Sequence, residues 1–318
     1  MDSLAGRRVL VTGAAGFLGR RVIAALLSQS ESPDTHVIAA DLTECPIADP
    51  RVDRRVGAVE DESFMRAIVE RDVDVVYHLA AVLSGQSETE FDVGMRVNVD
   101  GTRRLLEACR LAARPPRVVF SSTIAALGGT LPPIVPETQV VEPESSYGAA
   151  KAICELLVSE YSRRGFVDGV SCRVPTVAIR PGTPNSALSS FVSGIVREPL
   201  AGVDAICPVA LDTRIWISSP DAATWNLVHA GHIATSSLGS RRTVNLPGLS
   251  VTPGEMLDSL ERLAGGDVRA RVRVAVDPRT ARIVGTWPGA FDVSRALRLG
   301  FTIDRDIDAV IRQFITPA

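Results

Sequence analysis

"RVLVTGAAGFLG", residues 8–19, decides how the rest of the chain is read. A short apolar run ending in glycine is the pattern of a buried strand. "FLGRRVIAALLSQS" follows with apolar residues at helical spacing, so Gly13, Gly16 and Gly19 fall between strand and helix. In such a unit the first glycine permits a tight turn. The second lets the backbone approach a pyrophosphate, and the third lets helix and strand pack closely. Phosphates would meet the positive end of the helix dipole, beginning at Phe17 and Leu18. A second strand, "HVIAAD", ends in Asp41. A carboxylate there accepts hydrogen bonds from the adenosine ribose hydroxyls and repels a 2′-phosphate. Leu42 and Thr43 follow rather than an arginine, so the expected cofactor is NAD rather than NADP.

The alternation continues through the first half. "SFMRAIVERD" reads as helix, "VDVVYHLAA" as strand, "VGMRVNVDGTRRLLEACRLA" as a long helix and "RVVFSS" as strand. "YGAAKAICELLVSEYSRR" is a further helix and "GVSCRVPTVAI" a further strand. Apolar strands alternating with amphipathic helices predict an α/β fold, a doubly wound, Rossmann-like parallel sheet over residues 1–178. In "HLAA", Leu79, Ala80 and Ala81 would form a flat floor for a cofactor, and His78 would serve its own polar surroundings. After "RPGTPN" prolines and glycines become frequent and elements shorten. Residues 179–318 therefore read mainly as a smaller α+β substrate-binding cap, with segments near 215–232 returning to the first domain.

Composition narrows the partners. The chain has 318 residues, 46% of them hydrophobic and 22% charged, with a formal net charge of −3. No basic face points to nucleic acid, and "ARVRV" reads as a solvated strand edge. No apolar run approaches the roughly 18 residues of a membrane span. The N-terminus runs directly into a strand, so no signal segment is expected and the cytoplasm is the expected compartment. Five scattered cysteines read as buried, reduced thiols. His229 and His232 in "HAGH" read as surface residues rather than as metal ligands, and no metal is expected.

The one lysine among 34 basic residues is Lys151, four residues after Tyr147 in "SSYGAAK". Residues four apart share a helix face. Tyrosine is a poor base because its unperturbed pKa is about 10. A neighbouring ammonium and the positive nicotinamide of NAD⁺ would favour the phenolate, which could take a proton from an alcohol. Lysine suits the role because its compact charge can bond both ribose hydroxyls. A third hydroxyl should come from "VVFSSTIAALGG", where Ser121, Ser122 and Thr123 compete and alternate between faces. Asn98 is a candidate anchor for water or backbone, the other reading being a polar helix residue facing solvent.

"TGAAGFLG", Asp41, "HLAA", "NVDGT", "SST" and "YGAAK" together resemble the extended short-chain dehydrogenase/reductase family, in the branch that also holds sugar-nucleotide epimerases and dehydratases. The resemblance implies Tyr147 as acid/base, Lys151 holding the nicotinamide ribose, and Thr123 as the third hydroxyl with Ser122 as its rival. It also implies Pro175 and Val177 at the carboxamide. Thr123 is followed by Ile124 and Ala125 rather than the Asp and Glu of the dehydratases. "RVPTVAIRPGTPN" likewise departs from the nucleotide-sugar pattern, and "GAVED" (with Ala58 and Val59) replaces the usual "GDL" near the adenine. "TRIWISSPDAA" and "IVGTWPGAFDVSRALRLGF" are similar to members of the family that oxidise small sugar acids, which implies hydride transfer from C2 of a four-carbon aldonic acid to NAD⁺.

Such a substrate needs a cation for its carboxylate. Arg214 lies where relatives hold an anionic group and a planar fork suits a carboxylate; Arg180 and Arg197 are rivals. Ser84, Asn185 and Ser189 could bind hydroxyls. The other readings are a sugar-nucleotide epimerase, a dehydrogenase of uronates or other polyol acids, and a non-catalytic NAD sensor. By analogy, the helices holding "NVDGTRRLLEACRLA" and "KAICELLVSEYSRR" imply a homodimer.

Overall fold

The computed structural model describes residues 6–29, 35–69, 73–182 and 188–316. Strands β1 (Arg8–Thr12), β2 (His36–Asp41), β3 (Val52–Val56), β4 (Val75–His78), β5 (Arg117–Thr123) and β6 (Asp168–Val174) lie in one parallel sheet with the strand Thr243–Asn245. The order is Thr243–Asn245, β6, β5, β4, β1, β2, β3. It reverses between β1 and β4, so the crevice for a ligand opens beyond their carboxyl ends. Alternation within β1 shows how the sheet is covered. Val9 and Val11 join one apolar cluster with Val22, Ile23 and Leu227, while Leu10 joins the other with Met65, Leu105 and Leu106.

Three elements differ from the sequence reading. β3, "VDRRV", was not expected as a strand because its charged residues hide the period; it is the sheet edge and pairs only with β2. "TVNLPG" was read into the cap, yet Thr243–Asn245 extends the main sheet beside β6. "GVSCRVPTVAI" is not one strand: after Pro175, which has no N–H to give to a ladder, Thr176–Val177 pairs with Ile215–Ser218 in a three-stranded sheet.

The helix Phe17–Gln29 packs on the helix Pro220–Ala230, which therefore sits on the first domain. The cap proper has its own core, including Ile179, Val192, Ile195, Ile215, Met256 and Leu260. Its helix Pro253–Ala264 begins with a reciprocal cap between Thr252 and Glu255. In "ARVRV", Val272–Val274 pairs with Ala205–Cys207, and Arg273 and Val274 are exposed. The five cysteines are buried and unpaired. His229 and His232 are half-buried rather than on the surface. His229 stacks on Trp225 and its Nε2 lies 2.8 Å from the Leu299 carbonyl oxygen. No helix among the described residues is long and apolar enough to cross a membrane.

Candidate active site

The turn after β1 has the shape its glycines require. Gly13 adopts φ +71°, a left-handed backbone that other residues rarely take. A side chain there would meet Ala80 N at 2.7 Å, and one at Gly19 would strike the Gly13 carbonyl. The loop is thus a cradle that even a methyl group would fill, opening onto the N-terminus of Phe17–Gln29. Asp41 Oδ2 accepts from Ala15 N (2.9 Å) and Oδ1 from Leu42 N (2.7 Å), which fixes the carboxylate beside the cradle. Leu79 N donates to Thr12 O (3.1 Å), so the half-exposed residues Leu79, Ala80 and Ala81 run alongside. These residues fit a dinucleotide: open backbone for the diphosphate, a fixed carboxylate for the ribose and a small-residue floor.

His78 lies beneath that floor. It is buried between Thr12 Oγ1 (2.7 Å from Nδ1) and Thr102 Oγ1 (2.9 Å from Nε2), and burial pushes its pKa down to about 3. It remains neutral at physiological pH and braces the strand end.

Asn98 belongs to a π-helical turn, Arg96–Asp100, between the helices Phe91–Met95 and Gly101–Arg110. It is buried rather than facing solvent. Its Oδ1 accepts from Val82 N (2.8 Å) and its Nδ2 donates to Val82 O (3.1 Å), clamping the backbone just past the floor. Its own carbonyl accepts from the Thr102 hydroxyl (2.7 Å) and the Cys154 thiol (3.2 Å).

Tyr147 and Lys151 occupy the first two turns of the helix Ser146–Arg163, whose N-cap Ser145 accepts from Gly148 N (3.1 Å). Lys151 is 2% exposed. Its Nζ donates to Ser121 O (2.8 Å), 4.6 Å from the Phe120 ring centroid and 5.7 Å from the Tyr147 ring centroid. Burial drives the two pKa values in opposite directions, the Tyr147 phenol up to about 12 and the Lys151 ammonium down to about 8. A lowered tyrosine pKa, expected from the sequence, is therefore not a property of these side chains alone. Desolvation alone sets the Tyr147 shift.

Strand alternation separates the hydroxyls of β5. Ser122 is buried and donates to Glu155 Oε1. Thr123 is half-buried and caps the short 3₁₀ turn Ile124–Ala126, its Oγ1 accepting from Ala125 N at 3.1 Å. That bond leaves the Thr123 hydroxyl proton to donate elsewhere. Ser122 is thus committed to a buried carboxylate, which the sequence reading had not included. Glu155 is one turn beyond Lys151, and that spacing could have flagged it.

The three arginines differ. Arg214 is exposed, with Nη1 at 3.2 Å from both Glu255 oxygens. It lines a cleft of about 470 Å³ with Gly129, Leu131, Ser250 and Trp287; neither Tyr147 nor Thr123 lines that cleft. Arg197 is buried and bonded to Glu198 and to the Arg180 carbonyl. The Arg180 guanidinium has no carboxylate partner among the described residues, and burial and the Arg197 charge both lower its pKa. Pro175 is buried and Val177 half-buried beyond β6. Ser84 begins the short helix Ser84–Thr89 and Ser189 precedes Ser190–Leu200 without a capping bond; both are half-exposed. Asn185 lies outside the described residues.

The fold and this constellation are those of a dinucleotide-dependent enzyme, and comparison with known proteins gives the family. The sequence model of the NAD dependent epimerase/dehydratase family matches residues 9–241. The chain belongs to that family and is an NAD-dependent dehydrogenase. It is 49% identical to D-erythronate dehydrogenase of Cupriavidus necator over 98% of both chains. It is 41% identical to D-erythronate dehydrogenase of Haemophilus influenzae over 97% of this chain and 98% of that one. A solved structure reported as the nucleoside-diphosphate-sugar epimerase of Agrobacterium tumefaciens superposes with a TM-score of 0.93 at 39% identity, covering 99% of this chain and 96% of that one.

Proposed function

We propose that the chain oxidises the C2 hydroxyl of a short sugar acid, D-erythronate, to the 2-keto acid. The cradle at Gly13, Gly16 and Gly19, with Phe17 and Leu18, would hold the diphosphate of NAD, and Asp41 the adenosine ribose. Leu79, Ala80, Ala81, Pro175 and Val177 would flank the rest, with Asn98 fixing the backbone at Val82. When bound, NAD⁺ supplies the hydride acceptor and a positive ring. Lys151 has three ammonium donors, one of them given to Ser121 O, so two remain for ribose hydroxyls. The Thr123 hydroxyl would donate to the substrate oxygen and hold it toward Tyr147, which takes its proton. With the phenol at about 12, Tyr147 needs a cationic neighbour beyond Lys151 to act as a base near neutral pH. Ser84, Asn185 and Ser189 are candidates for the substrate hydroxyls.

The observation that carries the sugar-acid reading is the uncompensated guanidinium of Arg180. A half-buried cation beside a second arginine is costly unless an anion joins it. It follows Thr176–Val177, beyond the carboxyl end of β6, whose Val174 is in register with Thr123. Arg214 is already neutralised by Glu255 and Arg197 by Glu198. The names of the two relatives supply the four-carbon acid. The test is NADH formation across four- to six-carbon sugar acids: D-erythronate should be the best substrate. Arg180→Met should raise its KM about 10–100-fold, the worth of a charged hydrogen-bonded pair, with the KM for NAD⁺ unchanged. No NADH from any sugar acid would sink the reading.

The Agrobacterium structure's description favours a second reading, epimerisation of a sugar nucleotide. Protein that purifies with stoichiometric NAD and reduces no added NAD⁺ would favour it. A homodimer is part of the proposal: Ile153 and Leu156 of the helix Ser146–Arg163, the latter 74% exposed, give that helix an uncovered apolar edge.

A further inference from the structure

Beneath the active site lies a buried ion pair that the proposed chemistry does not use. Glu155 and Arg173 are each 4% exposed. Arg173 Nε donates to Glu155 Oε1 (2.9 Å) and Nη2 to Oε2 (2.7 Å), a two-pronged pairing. Ser122 adds a third donor to Oε1, and Arg173 Nη1 reaches Asn245 Oδ1 at 3.3 Å. The cluster ties the helix Ser146–Arg163 to β5, β6 and the strand Thr243–Asn245. Glu155 is also four residues beyond Lys151, on the same helix face.

We propose that Glu155, held by Arg173, is a positioning residue for Lys151: its buried carboxylate keeps the neighbouring ammonium charged and aimed along the Ser121 carbonyl at the cofactor ribose. Lys151 lies in surroundings that oppose its charge. Burial is the largest influence and lowers its pKa; Cys154 on the same helix and then Glu155 act in the opposite direction. Tyr147 faces it one turn before, with its ring centroid 5.7 Å from the ammonium, neutral His78 lies toward β4, and Arg173 on β6 holds Glu155. Without Glu155, Lys151 and Arg173 would be two buried cations with no anion among these groups. A buried ion pair is weak evidence for stability. Here it has a second consequence, the protonation state of the lysine. Only the consequence for catalysis rests on the reading of Lys151 as ribose ligand; the coupling itself does not depend on the substrate.

The single lysine makes the test direct. Full-length protein grown on lysine carrying ¹³C at Cε gives one lysine resonance, whose shift with pH reports the Lys151 midpoint. Glu155→Gln should lower that midpoint by about one pH unit, because a neighbouring anion is lost in a low-dielectric site. Arg173→Gln should raise it, because the Glu155 carboxylate then loses its paired cation and its charge acts on the ammonium unopposed. A merely structural role predicts something else: either variant would loosen the site and admit water, and both midpoints would rise toward the ordinary lysine value. A rise or no change in Glu155→Gln overturns the proposal. Should that variant fail to fold, Glu155→Asp takes its place. The shorter carboxylate sits farther from the ammonium, so that midpoint should fall by a few tenths of a pH unit; a rise or no change overturns the proposal. An unchanged midpoint in Arg173→Gln overturns it. The titration needs no substrate, so a wrong sugar acid would leave its outcome intact.

Discussion

The helix Ser146–Arg163 carries polar groups in two settings that differ in how their hydrogen bonds are met. In its third turn, both oxygens of Glu155 are filled by Arg173 and Ser122. In its first two turns, Tyr147 is half-buried and raised toward neutrality by burial alone, and Lys151 has one described acceptor for three donors. A buried polar group ordinarily demands a partner. Where partners are supplied within the chain, the group holds the framework and acts on the site only through its neighbours. Where they fall short, the shortfall marks where a ligand completes the bonding. Arg180 obeys the same rule against Arg197 and Arg214.

The largest effect expected from this contrast is at Tyr147. Tyr147→Phe removes the hydroxyl proposed to take the substrate proton and should lower kcat about a thousandfold. NAD affinity, read by calorimetry, should stay within about twofold, since the ring stays in place and Lys151 keeps its bond to Ser121 O. Loss of both together would mean that Tyr147 belongs with the structural groups, and the comparison would break.

How much of this was legible in the sequence follows from the same contrast. The glycine cradle, Asp41 and the Tyr147–Lys151 spacing were readable because they are local: a turn needing φ > 0, or two residues one helical turn apart. β3 was missed because charged residues on an edge strand erase the alternation that burial imposes. Thr243–Asn245 was assigned to the cap because three residues carry too little pattern to reveal which sheet they join. Ser122 and Thr123 look alike in the sequence, because the bond that distinguishes Ser122 comes from Glu155 on another element. Proposing Arg180 over Arg197 and Arg214 requires seeing that Glu198 and Glu255 are already taken.

An intermediate effect sharpens the structural side. His78 is buried neutral, with a pKa of about 3 against an ordinary 6.5. Between those values the unfolded chain binds a proton that the folded chain refuses. Stability should therefore fall as pH falls, by about 1.4 kcal/mol per pH unit from this group. Urea unfolding at pH 6.5 and pH 4.5, wild type against His78→Gln, isolates the contribution: the variant should show the shallower loss. Equal slopes would mean that the histidine takes up its proton in the folded state and is not sealed between Thr12 and Thr102.

The smallest effect lies between adjacent hydroxyls. Ser122→Ala removes one of three donors to Glu155 while leaving the Arg173 fork, so it should cost about 1 kcal/mol of stability and lower kcat only slightly. Thr123→Ala removes the hydroxyl proposed to meet the substrate oxygen and should lower kcat about tenfold or more. It also loses the cap on Ala125 N, which at a three-residue turn is worth about 1 kcal/mol. Stability alone thus cannot separate the two; the ratio of kcat loss to stability loss can. If Ser122→Ala has the larger ratio, the substrate oxygen is held from the Glu155 side of β5, and the division between the two settings on this helix lies in the wrong place.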